Sequence, residues 1–153
     1  MQERFEKFTV LINRISRAIR KIKNQEMAEY NLRSAHVSCL YYIYTLKKPT
    51  ATDLCERCEE DKATISRALD YLEANGFIMR KSKALKRYKS PLQLTEKGHE
   101  AGKKITDKIR AALESLGDGL TDEDREALYR SLSVISESLT RLHSGTQKKK
   151  LCL

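Results

Sequence analysis

The 153-residue sequence lacks several features that mark other classes of protein. It has no run of about 18 apolar residues, which argues against a transmembrane helix. Its first residues lack the continuous apolar segment of a secretory signal peptide. It also has no glycine-rich phosphate loop and no serine, histidine and acid order typical of hydrolases. We therefore expect a cytoplasmic protein that is not an enzyme, with no cofactor and no membrane partner.

Cysteine and histidine are scarce, with four and three residues. Cys55 and Cys58 form a CxxC pair, but a zinc site needs about four ligands and no second CxxC is present. A free cysteine behaves by default as a small buried hydrophobe, so we expect Cys39, Cys55 and Cys58 to pack in the core. A redox or metal role for the CxxC pair stays an open alternative. The histidines are too scattered to indicate a metal site: His36, His99 and His143.

The formal net charge of +9 is unevenly distributed. Residues 77–99 contain seven basic side chains and one acidic one, whereas residues 51–76 contain seven acidic and three basic ones. A positive field concentrated in a short stretch favours a polyanionic partner.

Amphipathic helices are predicted at both ends of the chain. Apolar side chains recur every three or four residues, which is typical of a helix with one buried face. We expect the first helix to run to about Tyr30 and its stripe to need a partner helix. Residues 144–153 are expected to form a basic, disordered tail. The stripes are Phe5, Phe8, Ile12, Ile15, Ile19 and Ile22; Ala101, Ile105, Ile109, Ala112, Leu113 and Leu116; and Leu128, Leu132, Ile135, Leu139 and Leu142.

Two helices are predicted in the segment before residue 60. The first begins at Ser34 and ends near Leu46, because Pro49 stops it. Thr50, followed three residues later by Asp53, resembles a capping box. It predicts a short helix that runs to about residue 58.

A third helix and a hairpin follow. Asp61 is a plausible N-cap for a helix that ends at the C-cap pair 75–76. Residues 77–80 and 89–95 are predicted strands, and the basic segment 83–88 between them has the character of a wing. A major groove about 12 Å wide admits one helix. We therefore expect the helix after Asp61 to contact DNA bases and the basic hairpin to contact phosphates.

Two segments resemble the MarR family of multiple antibiotic resistance regulators. They are PTATDLCERCEEDKATISRALDYLEANGFI, residues 49–78, and LQLTEKG, residues 92–98. The resemblance covers about residues 5–143. It implies a mainly α fold with a small β-hairpin wing: a winged helix-turn-helix in one domain, 1–143. Residues 32–95 would form the DNA-binding lobe, and residues 1–31 and 96–143 the helical dimerisation region.

The resemblance also implies a function. We expect a sequence-specific double-stranded DNA-binding transcriptional regulator, a ligand-responsive repressor that acts as a homodimer on a pseudo-palindromic operator. A small-molecule effector is expected, but its site is not assigned. Tyr41, Tyr42 and Tyr44 line a pocket or, as we favour, pack in the core. The expected DNA contacts are Lys62, Ala63, Thr64, Ser66 and Arg67 in the major groove, Thr50 and Thr52 at phosphates, and Lys83, Lys86 and Arg87 in the wing.

Two departures from the family pattern leave alternatives open. The wing of the family carries Asp-x-Arg, but Lys86 and Tyr88 occupy those positions, so we assign the arginine role to Arg87. The turn usually contains glycine, whereas Glu59 and Glu60 stand here, and a left-handed non-glycine residue costs roughly 1 kcal/mol. The alternatives are a metal- or thiol-responsive sensor on the same fold and an interaction module that has lost DNA binding.

Overall fold

The computed structural model describes residues 2–80, 90–116 and 119–150. Within these ranges the chain is mostly helical, with one antiparallel strand pair, as predicted. None of the described helices is long and apolar enough to cross a membrane. The elements are α1 (Gln2–Glu26), a 3-10 turn (Ala28–Tyr30), α2 (Ser34–Thr45), α3 (Ala51–Cys58), α4 (Lys62–Ala74), β1 (Ile78–Arg80), β2 (Leu92–Leu94), α5 (Glu96–Leu116) and α6 (Asp122–Lys150).

The chain divides into two compact units, residues 1–110 and 111–153. In the first unit β1 pairs with β2, so that Ile78 lies opposite Leu94 and Arg80 opposite Leu92. The pairing confirms the two strands on either side of the predicted wing. The wing residues themselves lie outside the described residues, and with them the expected DNA contacts Lys83, Lys86 and Arg87.

The predicted helix starts are confirmed by their hydrogen bonds. The Thr50 hydroxyl accepts from the Asp53 backbone N–H at 3.3 Å, while the Asp53 carboxylate accepts from the Thr50 N–H at 2.7 Å. This reciprocal pair is a capping box. At the start of α4, the Asp61 carboxylate accepts from the Thr64 N–H at 2.9 Å. Both caps satisfy backbone donors that have no partner within the helix.

Helix α1 ends at Glu26, four residues before the predicted end. The chain turns there because Met27 and Leu32 are both buried in the core. The N–H groups of Tyr30 and Leu32 donate to the Met27 carbonyl at 3.1 and 3.3 Å. Asn31 adopts a left-handed conformation with φ of 55° and closes the turn.

The core of the first unit is centred on α2 and α4, which pack against each other. Cys39 is fully buried on α2, as predicted, and Cys55 and Cys58 are half-buried against the same core. Tyr41 and Tyr42 are also half-buried against it, which supports packing for these rings. The buried side chains of α2 and α4 are Val37, Cys39, Leu40 and Ile43, and Ile65, Ala68, Leu69 and Leu72.

Helix α5 approaches its neighbours through two glycines. A Cβ atom added at Gly98 would lie 1.9 Å from the Phe77 carbonyl oxygen, and one added at Gly102 would lie 2.8 Å from Tyr44 Cβ. No carbon atom fits at 1.9 Å from an oxygen, so glycine at position 98 is a packing requirement.

The second unit consists of the end of α5 together with α6. Thr121 and Asp124 form a capping box at the start of α6, with both backbone–side-chain bonds at 3.1 Å. The helix continues to Lys150, whereas the sequence predicts a disordered tail from Ser144. Ser144 and Gly145 do not end the helix, because glutamine and lysine, which make up residues 147–150, are good helix formers.

Candidate nucleic-acid interface

The turn between α3 and α4 carries a left-handed glutamate. Glu59 has φ of 54°, and its backbone N–H donates to the Cys55 carbonyl. The Glu60 N–H donates to the same carbonyl at 3.2 Å. These bonds close the C-terminal end of α3 and offset the cost of the left-handed residue. The chain therefore builds the helix-turn-helix without the glycine usual in the family pattern.

The N-terminal end of α4 is open to solvent. Lys62, Ala63 and Arg67 are exposed, and Thr64 and Ser66 are half-buried. The apolar side chains of the same helix face inward, with Ile65, Ala68, Leu69 and Leu72 buried. The leading turns of α4 thus present small and basic side chains on one accessible face.

A chain of hydrogen bonds orders this end of α4. The Thr64 hydroxyl donates to Asp61 Oδ2 at 2.8 Å and accepts from Arg67 Nη2 at 3.3 Å. The backbone and hydroxyl of Thr64 hold the pKa of the Asp61 carboxyl below its usual range, because both bonds favour the ionised form. Asp61 therefore stays ionised, and Thr64 holds the Arg67 guanidinium along the exposed face.

The two threonines of the α3 start differ in their surroundings. The Thr50 hydroxyl donates to Asp53 Oδ2 at 2.8 Å, so its hydrogen is already used in a bond within the cap. Together with the Thr50 backbone N–H, this bond lowers the pKa of the Asp53 carboxyl. Thr52 is exposed on the first turn of α3. Thr50 thus serves the cap, and Thr52 is the more accessible of the two.

The acidic turn is directed partly away from the exposed face of α4. Glu60 lines a cavity of about 170 Å³ together with Arg20 and Lys23 of α1 and Ser38 of α2. The Lys23 ammonium donates to Ser38 Oγ at 2.9 Å. Arg20 and Lys23 line the same cavity, so their positive charges oppose the repulsion between the Glu60 carboxylate and a polyanion beside α4.

Arg33 is a candidate contact that the sequence analysis does not identify. It is exposed and borders a groove of about 390 Å³ with Thr64 and Arg67. The groove floor includes His36, whose ring stacks on Tyr71 with centroids 4.2 Å apart. No local sequence motif identifies Arg33, because its position beside α4 depends on the turn after α1.

The C-terminal end of α4 is held by side chains from β1 and α5. Arg80 pairs with Asp70 at 3.0 Å and Glu73 at 3.3 Å, and its side chain is only 10% exposed. Lys97 Nζ donates to the Asn75 carbonyl at 2.9 Å and lies 4.2 Å from the centroid of the Phe77 ring. Arg80 belongs by sequence to the basic hairpin, but its charge is bound to α4.

Comparison with known proteins relates this arrangement to a family model. Residues 32–84, from the start of α2 through the helix-turn-helix and β1, match the model of the MarR family. This match covers the helix-turn-helix segment and not the whole chain. The HTH-type transcriptional regulator YwoH of Bacillus subtilis is 29% identical to this chain over 116 residues, which are 76% of this chain and 84% of YwoH.

Solved structures show the same fold. NMB1585, a MarR family regulator from Neisseria meningitidis, superposes with a TM-score of 0.80 at 20% identity, covering 94% of this chain and 98% of that one. MepR of Staphylococcus aureus, solved as a DNA complex, has a TM-score of 0.76 at 21% identity, covering 86% and 96%. The fold is therefore the winged helix of MarR regulators. The curated relatives that match are named HTH-type transcriptional regulators, and they are not enzymes.

Proposed function

We propose that this protein is a MarR family regulator that binds a specific DNA duplex as a homodimer and represses transcription from a pseudo-palindromic operator. The observation that carries the proposal is the exposed N-terminal end of α4, where Lys62, Ala63 and Arg67 stand on one face. A helix presented in this way fits the major groove, whose base edges distinguish all four base pairs. MepR, which shares the fold, was solved bound to DNA.

The roles proposed for the side chains follow from their chemistry. Arg67 is long enough to bond a guanine edge with two hydrogen bonds, and Lys62 reaches a phosphate or a base. Ala63, Thr64 and Ser66 are small enough to let the helix approach the bases. Arg33, Thr52 and the wing residues Lys83, Lys86 and Arg87 are proposed to contact phosphates and fix the register.

The homodimer is proposed from the exposed apolar stripes. Ile12, Ile15, Ile19 and Ile22 of α1 are 38–53% exposed. In the second unit, Leu128, Leu139 and Leu142 of the α6 stripe are likewise exposed, and Leu132 and Ile135 are half-buried. Stripes of this size normally mark a protein interface, and a second copy supplies the same stripes in a symmetric arrangement. Two lobes related by a two-fold axis would read two half-sites.

Sedimentation tests the dimer. We expect the wild-type protein to sediment as a dimer at micromolar concentration. Ile15→Asp should shift it toward the monomer because a charge would enter an apolar interface. Lys21→Asp, an exposed substitution on the same helix, is the matched control and should remain dimeric. A monomeric wild-type protein would contradict the proposal.

DNA binding is tested after selection of bound fragments from genomic DNA. Affinity for the selected duplex should fall steeply as salt rises, since basic contacts release counterions. Arg67→Ala should lower affinity for this duplex by about 10- to 100-fold and leave random DNA nearly unchanged. Arg87→Ala should weaken both, whereas Lys103→Ala on α5 should change neither. Failure to bind any duplex at low salt would favour an interaction module instead.

A response to a small effector is part of the proposal. The cavity lined by Arg20, Lys23, Ser38 and Glu60 lies beside the helix-turn-helix and contains side chains of both charges, so it is the site we propose for a small polar effector. For the metal-sensor alternative, residues 2–80, 90–116 and 119–150 contain no cluster of three or more side chains suited to hold a metal.

A further inference from the structure

Three side chains at the start of α4 are joined in one series of hydrogen bonds. Asp61 caps the helix, and Thr64 and Arg67 follow at intervals of three residues, which places each next to the one before it on the helix surface. The Thr64 hydroxyl donates to Asp61 Oδ2 at 2.8 Å and accepts from Arg67 Nη2 at 3.3 Å. This hydroxyl therefore connects the carboxylate to the guanidinium.

The ionised carboxylate fixes the direction of these bonds. A carboxylate has no proton to donate, so the Thr64 hydroxyl gives its own proton to Asp61 and is left with lone pairs that accept. A guanidinium only donates, which matches the bond from Arg67. The Thr64 backbone N–H also donates to Asp61 Oδ1 at 2.9 Å and holds the carboxylate from a second side. Arg67 thus meets an acceptor whose orientation is set before any ligand arrives.

The bond to Thr64 leaves most of the guanidinium available to a ligand. Only one Nη2–H of Arg67 is used by the Thr64 hydroxyl, while a guanidinium carries further N–H donors in a rigid fork. Arg67 is exposed. The remaining donors are enough for a bidentate contact with a guanine edge.

Arg33 limits the other positions that Arg67 can take. Both side chains line the same groove of about 390 Å³, and two guanidinium groups repel each other. Attraction between Arg67 and Asp61 acts in the same direction. The bonds from Thr64 are the main cause of the lowered pKa of the Asp61 carboxyl, and the charge of Arg67 adds to this shift. Repulsion on one side and attraction on the other both keep Arg67 beside Thr64.

We propose that Thr64 and Asp61 are specificity-determining residues that act through Arg67, an inference that rests on the proposed function. Thr64 is a positioning residue, which holds the guanidinium in place for a base edge before DNA binds. Asp61 adds a fixed negative charge beside that guanidinium, which disfavours a contact of Arg67 with phosphates of any sequence. Together they direct a basic side chain toward one base instead of toward any duplex.

Thr64→Val removes the hydroxyl and keeps the shape of the side chain. Arg67 must then become ordered on binding, which should lower affinity for the selected operator duplex by about 2- to 10-fold and leave random DNA nearly unchanged. Thr64→Ser keeps the hydroxyl and should retain the wild-type affinities. Thr106→Val on α5, where the hydroxyl donates to the Gly102 carbonyl, is the matched control. Equal losses for Thr64→Val and Thr64→Ser would overturn the role of the hydroxyl.

A double-mutant cycle tests whether Thr64 acts through Arg67. In a protein that carries Arg67→Ala, Thr64→Val should have no further effect on operator affinity, because the side chain that it positions is absent. Additive losses would show that Thr64 contacts DNA independently of Arg67, and would overturn the positioning role.

Asp61→Asn tests the negative charge. Asparagine caps helices about as well as aspartate, so the helix start is kept while the charge and the acceptor for the Thr64 hydroxyl are removed. Affinity for random DNA should rise by roughly 2- to 5-fold at low salt, without a matching rise for the operator. This increase should shrink at high salt, since exposed charges are screened. An unchanged ratio of operator to random affinity would overturn the role of Asp61.

NMR relaxation of the arginine side chains provides a readout without DNA. In the free protein, the order parameter of the Arg67 Nε–H group should be lower in Thr64→Val than in the wild type or Thr64→Ser. Equal order parameters would contradict positioning by Thr64. If the wild-type protein binds operator and random DNA equally, the proposed function is wrong, while the order parameter still decides whether Thr64 positions Arg67.

Discussion

The two ends of α4 are built in opposite ways. At the C-terminal end, Arg80, Lys97 and Tyr71 contact charged or carbonyl groups of neighbouring segments. At the N-terminal end, Asp61 and Thr64 bond to each other and to the exposed Arg67. One end is anchored and the other is presented to solvent. An anchored helix loses little freedom on binding, which favours affinity.

The largest expected effect on stability comes from disrupting the close approach of α5 to Phe77. Gly98→Ala places a Cβ at 1.9 Å from the Phe77 carbonyl oxygen, so the backbones must separate. We expect a loss of about 3 kcal/mol or more in the free energy of unfolding, measured by urea denaturation. Lys103→Ala, on an exposed face of the same helix, should change it by less than about 0.5 kcal/mol. Equal stability of the two variants would contradict the close approach.

Arg80→Ala separates anchoring from direct DNA contact. Its side chain is 10% exposed and bonded to Asp70 and Glu73, so its removal should cost about 1 to 2 kcal/mol of stability through lost packing and partly screened ion pairs. We also expect weaker operator binding with an unchanged salt slope, because no phosphate contact is lost. A reduced slope in salt titrations would instead place Arg80 on the DNA.

A smaller effect is expected at Tyr71, in the last turn of α4. The Tyr71 hydroxyl donates to the Asn31 carbonyl at 2.8 Å. Tyr71→Phe keeps the ring stacked on His36 but removes this bond, which should cost about 1 kcal/mol. Thermal denaturation measures it. No change in melting temperature would show that this bond does not help to anchor α4.

The smallest effect concerns pH. Burial, with a contribution from Arg33, lowers the pKa of His36 below its ordinary value of 6.5. Its Nδ1 also accepts from the Arg33 backbone N–H at 3.1 Å. His36 therefore binds a proton more readily in the unfolded chain than in the folded one. Its contribution to the free energy of unfolding is present above about pH 6.5 and is lost as pH falls. His36→Asn should lose less stability than wild type between about pH 7.5 and 5, as followed by urea denaturation.

Local patterns predict the elements that form α4 and its surroundings. The caps at Thr50 and Asp61 depend on side chains three residues apart, and the apolar spacing of Ile65, Leu69 and Leu72 fixes the buried face. The strands on either side of the wing also follow from local pattern. These features need only short-range information, which a single sequence contains.

Contacts between distant segments are not predictable in the same way. The position of Arg33 beside Arg67 and the ion pairs of Arg80 depend on how separate elements pack. From the sequence alone, the positive charge of Arg80 predicts a DNA contact as part of the basic hairpin, because no residue near it in the sequence indicates that Asp70 is its partner.

Photo-cross-linking from Ala63 tests most directly the claim that the exposed end of α4 lies in the major groove. A photoreactive group on the thiol of Ala63→Cys, in a variant lacking the native cysteines, should cross-link to bases near the centre of each operator half-site. The same group on Lys103→Cys should give no base cross-link. Cross-links from Lys103→Cys but not from Ala63→Cys would contradict the account.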